Sequence, residues 1–408
     1  MSTKTNNQKK EILIISQYFP PDISGGGTRA YNYAKCLANN FDVTVITAFP
    51  HLHDKVPSKF RWKITQEDKN FDFRVIRVRV PSLLHSSITN RMILHISFLM
   101  NSLIPIGSIK PDVIFASEPN LLSIIPAYIY SKLKGGKIIR IVDDLWPEVL
   151  YERKIISNNL LKKILDRFAK FSYSVPTIIL PLTEEALNHI HKLYKINKNK
   201  IFVIHHGVNT DIFKPIFKKE KNEEFVVMYS GAIVESYDFD VIINAAKLLK
   251  NEKIKFIIRG KGNILKYIKN EKNRHDLDNL IIEDNIISEE KLIENLNKAD
   301  VFIVPMKNDK FLNMSLPTKI LEFQALSKPI ICCSNGAPGN HIEKTHSGIR
   351  VDCGDFKKVA EMIIKLKEEP ETKKKYGDEG KRYVDTKISF EKISEQFNRL
   401  IHQVIDNG

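Results

Sequence analysis

Short apolar runs alternate along the chain with longer stretches in which apolar side chains return every three or four positions. The first pattern suits a strand buried on both faces, and the second suits a helix with one side on a core. Ile12-Leu13-Ile14-Ile15-Ser16 predicts a central parallel strand. A loop with Pro20, Pro21 and Gly25-Gly26-Gly27 follows, then a helix with Ala30, Tyr33, Ala34, Leu37 and Ala38 on one side. Further strands are predicted at 42–47, 112–116, 137–142, 177–181 and 201–204. After the charged stretch 218–224 the pattern restarts, with strands at 225–229, 255–258, 280–283, 301–304 and 329–333. Helices fall between them: one with Phe239, Ile242, Ile243, Ala246 and Leu249 on one face, one at 289–298 and one near 317–326. A last helix lines up Phe390, Ile393, Phe397, Leu400, Ile401 and Val404, and needs a partner surface on either half.

Alternation of this kind implies parallel sheets covered by helices on both faces, and the restart implies two of them. The chain is therefore expected to be α/β, with one domain over 1–215, a second over 216–385 and a closing helix over 386–408.

Composition adds limits. A chain of 408 residues that is 43% hydrophobic and 27% charged is a globular protein, not a disordered or collagen-like one. The net charge of +15 and the pI of about 9.3 favour anionic partners: nucleic acid, an anionic membrane or phosphorylated ligands. The lysines are spread along the chain, so a solvated surface explains many of them equally well. Cys36, Cys332, Cys333 and Cys353 show no CxxC or Cys/His metal spacing and read as small hydrophobes in a reducing compartment. Residues 1–10 are polar and predict no secretory leader. No apolar run reaches about 18 residues. The nearest, 92–106, is broken by His95, Asn101 and Pro105 and predicts a buried or interfacial helix.

Open parallel sheets collect ligands at the carboxyl ends of their strands, so the loops there carry the candidate chemistry. Gly25, Gly26 and Gly27 let a backbone approach phosphate at a helix start. Their spacing is neither GxGxxG nor GxxxxGK[ST], which argues against a nicotinamide enzyme and a P-loop ATPase. Arg259-Gly260-Lys261-Gly262 offers flexible backbone and two cations, or a plain turn. On the helix near 317–326, Lys319 and Glu322 are three apart and share a face. Lys319 can meet an anion and Glu322 can accept from ribose hydroxyls; an exposed ion pair is the plainer alternative, worth only about 0.3–0.5 kcal/mol. Asp143 and Asp144 follow a buried strand, where carboxylates can orient sugar hydroxyls, accept a proton or bind a divalent cation; a helix N-cap is the alternative. His205 and His206 precede Gly207, and adjacent histidines on one loop chelate poorly, so no metal site is predicted.

Taken in order, these segments resemble glycosyltransferase family 4 of the GT-B class over nearly the whole chain. The marks are Tyr18-Phe19-Pro20-Pro21, Gly25-Gly26-Gly27-Thr28-Arg29-Ala30-Tyr31, Thr47-Ala48-Phe49-Pro50, Asp144-Leu145-Trp146-Pro147-Glu148, Gly207-Val208-Asn209-Thr210-Asp211 and Leu316-Pro317-Thr318-Lys319-Ile320-Leu321-Glu322. They are similar to the branch of bacterial cell-surface fucosamine and hexosamine transferases. The resemblance implies two Rossmann-like domains with parallel sheets facing across a cleft, and a C-terminal helix crossing back. It implies retaining transfer of a hexosyl or acetamidohexosyl group from a nucleotide-diphosphate-sugar, without a metal or other cofactor. Glu322 would hold the ribose, Lys319 with Arg259 or Lys261 would face the diphosphate, and Gly25–Gly27, Gly207, Gly231 and Gly260 would complete the donor site, with Asp143 and Asp144 as the catalytic carboxylates.

Four positions depart from the family pattern. Met314 stands where a first glutamate is common, leaving Asn313 or Ser315 to contact the donor sugar. Ala232 and its neighbours replace a second Gly, or an Arg and a Lys. Asp143 stands where His is common, and His205-His206 where Pro-Asn is common.

The expected partners are the donor, a glycan or lipid-linked acceptor and an anionic membrane surface, but not nucleic acid. The expected place is the cytoplasm, at the inner face of the membrane. Phe60-Arg61-Trp62-Lys63, Arg74, Arg77, Arg79, Arg91 and the stretch 92–104 offer a docking surface; alternation of Arg74, Arg77 and Arg79 with Val75, Ile76 and Val78 fits a solvated strand equally well. A nucleotide-sugar epimerase of the same architecture and a catalytically silent nucleotide-sugar binder are the alternatives.

Overall fold

The computed structural model describes residues 9–22, 25–51, 63–81, 83, 87–117, 121–152, 154–216, 224–285 and 287–406. Phe60, Arg61 and Trp62 of the expected docking surface, and 218–223 of the charged stretch, lie outside them. The chain divides into two compact units, one of Met1–Gly207 with Phe390–Gly408 and one of Val208–Ser389. The divisions thus fall at 207/208 and 389/390, not at 215/216 and 385/386.

Unit 1 runs β1 (Glu11–Ile15), α1 (Gly25–Ala38), β2 (Asp42–Ala48), β3 (Thr65–Asp68), β4 (Arg74–Val78), α2 (Ile88–Asn101), β5 (Val113–Ala116), α3 (Ile124–Lys134), β6 (Lys137–Val142), α4 (Glu148–Glu152), α5 (Asn159–Ser174), β7 (Ile178–Pro181) and α6 (Glu184–Tyr194). Its seven strands are ordered β3-β4-β2-β1-β5-β6-β7, all parallel except the edge strand β3. Unit 2 runs β8 (Phe225–Ser230), α7 (Phe239–Leu248), β9 (Ile254–Arg259), α8 (Leu265–Arg274), β10 (Leu280–Glu283), α9 (Glu289–Leu296), β11 (Val301–Pro305), α10 (Thr318–Ala325), β12 (Ile330–Cys333), α11 (Ala337–Thr345), β13 (Gly348–Val351), α12 (Phe356–Glu368) and α13 (Pro370–Tyr383). Its sheet is parallel throughout, ordered β10-β9-β8-β11-β12-β13. The last helix, α14 (Phe390–Asp406), belongs to unit 1.

The apolar periodicity explains the layers. In α14, Ile393, Phe397, Leu400, Ile401 and Val404 are buried at helical spacing. Phe397 meets Tyr33 of α1 edge-on at 4.7 Å and Phe115 of β5 at 5.7 Å. Ser394 adds a hydrogen bond to the Cys36 carbonyl at 2.7 Å. In both sheets the strand order reverses direction beside the first strand: between β1 and β5 in unit 1, and between β8 and β11 in unit 2. These are the crevices where open α/β sheets receive ligands.

Three expectations need correction. The strand expected at 201–204 is a single bridge from Ile201 to Ile179. Beyond it the backbone turns to side chains, the Ile204 carbonyl accepting from the Tyr33 hydroxyl at 2.8 Å. Arg77 is buried, not solvated: its Nε donates to Asp68 of the antiparallel edge strand at 2.7 Å, and its Nη atoms reach the Ala48 and Pro20 carbonyls. Gly25, Gly26 and Gly27 are the first turn of α1 itself, not a loop before it.

Candidate functional site

α10 follows β11 and begins at the switch point of unit 2. Its inner side is fixed by dense contacts. Phe323 stacks on Phe302 of β11 with ring centres 3.7 Å apart and planes 4° from parallel. Gln324, fully buried, donates to Thr345 and Ser347 hydroxyls at 2.9 and 2.7 Å, and its carbonyl oxygen accepts from Nε2 of His341 at 3.1 Å. With Ile320, Leu321, Phe323 and Gln324 turned inward, Lys319 and Glu322 lie on the less buried side, and Lys319 reaches Tyr237 in the loop after β8.

Lys319 does not pair with Glu322. Its ammonium donates to the Tyr229 hydroxyl at 2.7 Å and lies 4.1 Å from the centre of the Tyr229 ring and 4.0 Å from that of Tyr237. The Tyr229 hydroxyl in turn donates a hydrogen bond to the Ala232 carbonyl at 2.5 Å. A cation between two aromatic faces gains from both ring quadrupoles, typically about 0.5–2 kcal/mol per ring. Desolvation nevertheless wins: burial lowers the Lys319 pKa to about 7, with Glu322 pulling it back up. Glu322 is half-buried and, among the described residues, makes no hydrogen bond or ion pair. Burial raises its pKa to about 7, Lys319 opposing and Glu289 adding. Two poised, opposite groups therefore stand one helical turn apart at a strand-end crevice. Perturbed groups of this kind gather at functional sites.

The loop after β8 is pinned over this crevice. Tyr237 bridges Met306, the Asp238 amide donates to the Pro305 carbonyl at 2.8 Å, and the Lys307 amide donates to the Ser236 carbonyl at 3.1 Å. Gly231 has φ +141°, and a Cβ there would sit 2.4 Å from the Lys319 nitrogen. Gly260 has φ +144°, and its Cβ would fall 1.8 Å from the Gly231 carbonyl oxygen. The two loops are zipped together by Gly231 and Ile233 amides donating to the Arg259 and Lys261 carbonyls at 3.0 and 2.8 Å. The glycines of the Arg259–Gly262 segment thus serve loop-to-loop contact. Arg259 is ion-paired through Nη2 to Glu283, its partner on β10, while its buried Nε has no hydrogen-bond partner among the described residues. Lys261 is exposed.

In unit 1, Asp143 is held by Arg29, whose Nη1 is 2.5 Å from its carboxylate. Arg29 is fully buried and also donates to the Val142, Leu180 and Ile204 carbonyls, so it ties α1 to the ends of β6 and β7. This is the geometry of a structural ion pair. Asp144 is exposed in the turn before α4. Gly207 is a packing glycine: a Cβ would come 2.8 Å from the Phe390 ring, and its carbonyl accepts from Asn32 at 3.0 Å.

Family models match both units. "Glycosyltransferase Family 4" matches residues 23–212, and "Glycosyl transferases group 1" matches 211–383. The chain is a family 4 glycosyltransferase of the GT-B class. It is 24% identical to the capsular polysaccharide biosynthesis glycosyltransferase CapM of Staphylococcus aureus over 255 residues, 58% of this chain and 64% of that one. It is 25% identical to an uncharacterized glycosyltransferase of Methanocaldococcus jannaschii over 209 residues, 51% of this chain and 55% of the relative. The match thus spans less than two thirds of either relative. Among solved structures, the fold is similar to sucrose-phosphate synthase from Thermosynechococcus elongatus, with TM-score 0.78, 15% identity and 98% and 100% of the two chains covered. Anabaena HepE in complex with UDP aligns with TM-score 0.70 at 12% identity, covering 97% and 100%.

Sequence reasoning about this glycosyltransferase singled out Lys319, Glu322 and Gly231, which the structure brings together in unit 2. It missed Tyr229 and Tyr237. Tyr229 read as the last apolar residue of a strand, and nothing in local spacing links either ring to a lysine some ninety positions away. It also missed Arg29 as the partner of Asp143, although Arg29 and Tyr33 are four apart on one helix face and their hydrogen bond follows from that.

Proposed function

We propose that the enzyme transfers a hexosyl or acetamidohexosyl group, with retention, from a nucleotide-diphosphate-sugar to a glycan or lipid-linked acceptor in cell-surface polysaccharide synthesis. The observation that carries this is the Lys319–Glu322 pair: a caged ammonium suited to a diphosphate, and one turn along a carboxylate with no partner among the described residues, suited to ribose hydroxyls. Unit 2 is the donor domain in this reading, and unit 1 receives the acceptor. A cation fixed by Tyr229 and Tyr237 stabilises the charge developing on the leaving diphosphate without reorganising, which is how preorganised sites lower barriers. That charge is met by side chains in place of a metal. The Arg29–Asp143 pair shapes the end of the unit 1 sheet, and the exposed Asp144 is the carboxylate that meets the acceptor in this reading. HepE binding UDP, and CapM acting in capsule synthesis, support the donor class and the pathway class.

A panel of nucleotide-sugars tests this, with nucleoside diphosphate release measured with and without lipid-linked acceptor. Acceptor-dependent release with retained anomeric configuration is expected. Donor isomerisation without acceptor would replace this reading with an epimerase, and binding without turnover on any acceptor would replace it with a silent binder.

A further inference from the structure

One side of the unit 1 sheet is covered by α2, α3 and α5. Leu94 and Phe98 of α2 and Ile124, Ala127 and Tyr130 of α3 share a core with β1, β2, β4 and β5, and Phe168 and Phe171 of α5 pack against it. Tyr128 of α3 meets Phe171 of α5 edge-on at 5.6 Å. The outward sides of these helices are apolar where solvent should select polar residues. On α2, Met92, Ile93, Ile96 and Met100 are 44–60% exposed and fall on one stripe. On α5, Leu160, Leu161 and Ile164 are 42–69% exposed. Lys163, Arg167 and Lys170, spaced by four and three, form an exposed basic stripe that flanks Leu160 and Ile164 along the same helix. The one acid of α5, Asp166, accepts a hydrogen bond from Tyr151 at 2.8 Å. Leu133 of α3 is also exposed.

We infer that this side of unit 1 docks on an anionic lipid bilayer, with α2 and α5 seated in the headgroup–acyl boundary. Monomeric soluble proteins rarely leave several large apolar side chains clustered in water. An apolar stripe bordered by lysine and arginine is the pattern of an interfacial helix, the first entering the acyl boundary and the second meeting lipid phosphates. Among the described residues no helix is long and apolar enough to cross a membrane, so the contact is peripheral. The bilayer is preferred over a protein partner because the basic residues stand beside the apolar stripe on one helix, matching a surface whose charge lies just above its hydrocarbon. The surface also differs from the one expected from sequence: Arg77 is buried and paired, and α5 takes its place. The inference rests on unit 1 alone and is independent of the donor site.

Flotation of the full-length protein with vesicles tests it. Vesicles of phosphatidylglycerol with phosphatidylcholine are compared with phosphatidylcholine alone. The wild type is expected to float with the first and not the second. The triple variant K163E/R167E/K170E and the double variants I96E/M100E and L160E/I164E are each expected to lose at least tenfold in bound fraction. All substituted side chains are exposed, and a melting curve on each variant verifies the fold. K374E/K375E, on exposed lysines of unit 2, controls for net charge and is expected to float like the wild type. Equal binding to neutral vesicles, no binding, or equal loss in the unit 2 control would each overturn the inference. So would a wild-type dimer in solution that I96E/M100E converts to monomer, since a second copy would then be the occupant.

Discussion

Replacing Lys319 with Met should stabilise the unliganded protein while weakening nucleotide binding. The fall of the Lys319 pKa from 10.5 to about 7 corresponds to roughly 5 kcal/mol against the charged form in the folded state. That is an upper limit, because the side chain keeps some exposure and Glu322 loses its neighbouring cation in the variant. Met also gives up the attraction to the two rings, about 0.5–2 kcal/mol each. It leaves no orphaned hydroxyl, since Tyr229 still donates to Ala232. A net gain of about 2 kcal/mol is expected near pH 7, or about 4–8 °C in Tm for a domain of this size. The sign with pH is fixed. Below about pH 7 the folded protein must hold a desolvated ammonium that the unfolded chain keeps hydrated, so the cost is fully present. It fades as pH rises toward 10.5, where lysine is neutral in both states. Calorimetric melting of wild type and K319M at pH 6.5 and pH 10 reads this directly. Titration calorimetry with UDP should show at least a tenfold loss in affinity, as expected for a hydrogen bond to a charged group. A wild type more stable than K319M at pH 6.5, or a difference that persists unchanged at pH 10, would refute the reasoning.

Glu322→Gln should stabilise the protein above about pH 7, where the half-buried carboxylate is charged, and the gain should vanish as pH falls toward 4.5; denaturation at pH 8 and pH 5 checks this. The same variant should weaken UDP more than its 2′,3′-dideoxy analogue, because only UDP offers ribose hydroxyls to a carboxylate. Asp143→Asn should cost about 3–5 kcal/mol by leaving the buried Arg29 uncompensated, whereas Asp144→Asn should change stability by less than about 0.5 kcal/mol and act on turnover; urea melts with acceptor assays separate the two. Gly260→Ala should destabilise by about 3 kcal/mol or more, since the Cβ meets backbone that cannot yield, and a thermal melt reads the loss.

The parallel strands were readable because each is a continuous apolar run, a signal that survives without tertiary knowledge. β1, β2 and β5 to β12 lie within a residue or two of their expected places. The losses have physical causes. β13 carries Gly348 and Arg350, and tolerates them because Gly348 packs against the Ile330 carbonyl on the neighbouring strand. Arg77 looked solvated because alternation shows which side chains share a face, not which face is buried, and its partner Asp68 comes from a separate strand. At the site, sequence could place Lys319 and Glu322 on one helix face. It could not show that the lysine would leave its carboxylate neighbour for two tyrosines contributed by β8 and the following loop.

The assignment of α14 to unit 1 has a consequence for synthesis. The whole of unit 2, Val208–Ser389, is an insertion between the body of unit 1 and the helix that closes it. Phe397, Ile401 and their neighbours on α14 reach the ribosome exit only after unit 2 has been made. At roughly 5–20 residues per second, the nascent first sheet waits about 10–40 s with Tyr33 of α1 and Phe115 of β5 uncovered by α14. The earlier unit thus depends on a helix translated after the later one. A stop codon or frameshift between the codons for 389 and 397 would therefore remove the cover of the oldest part of the polypeptide while leaving unit 2 whole.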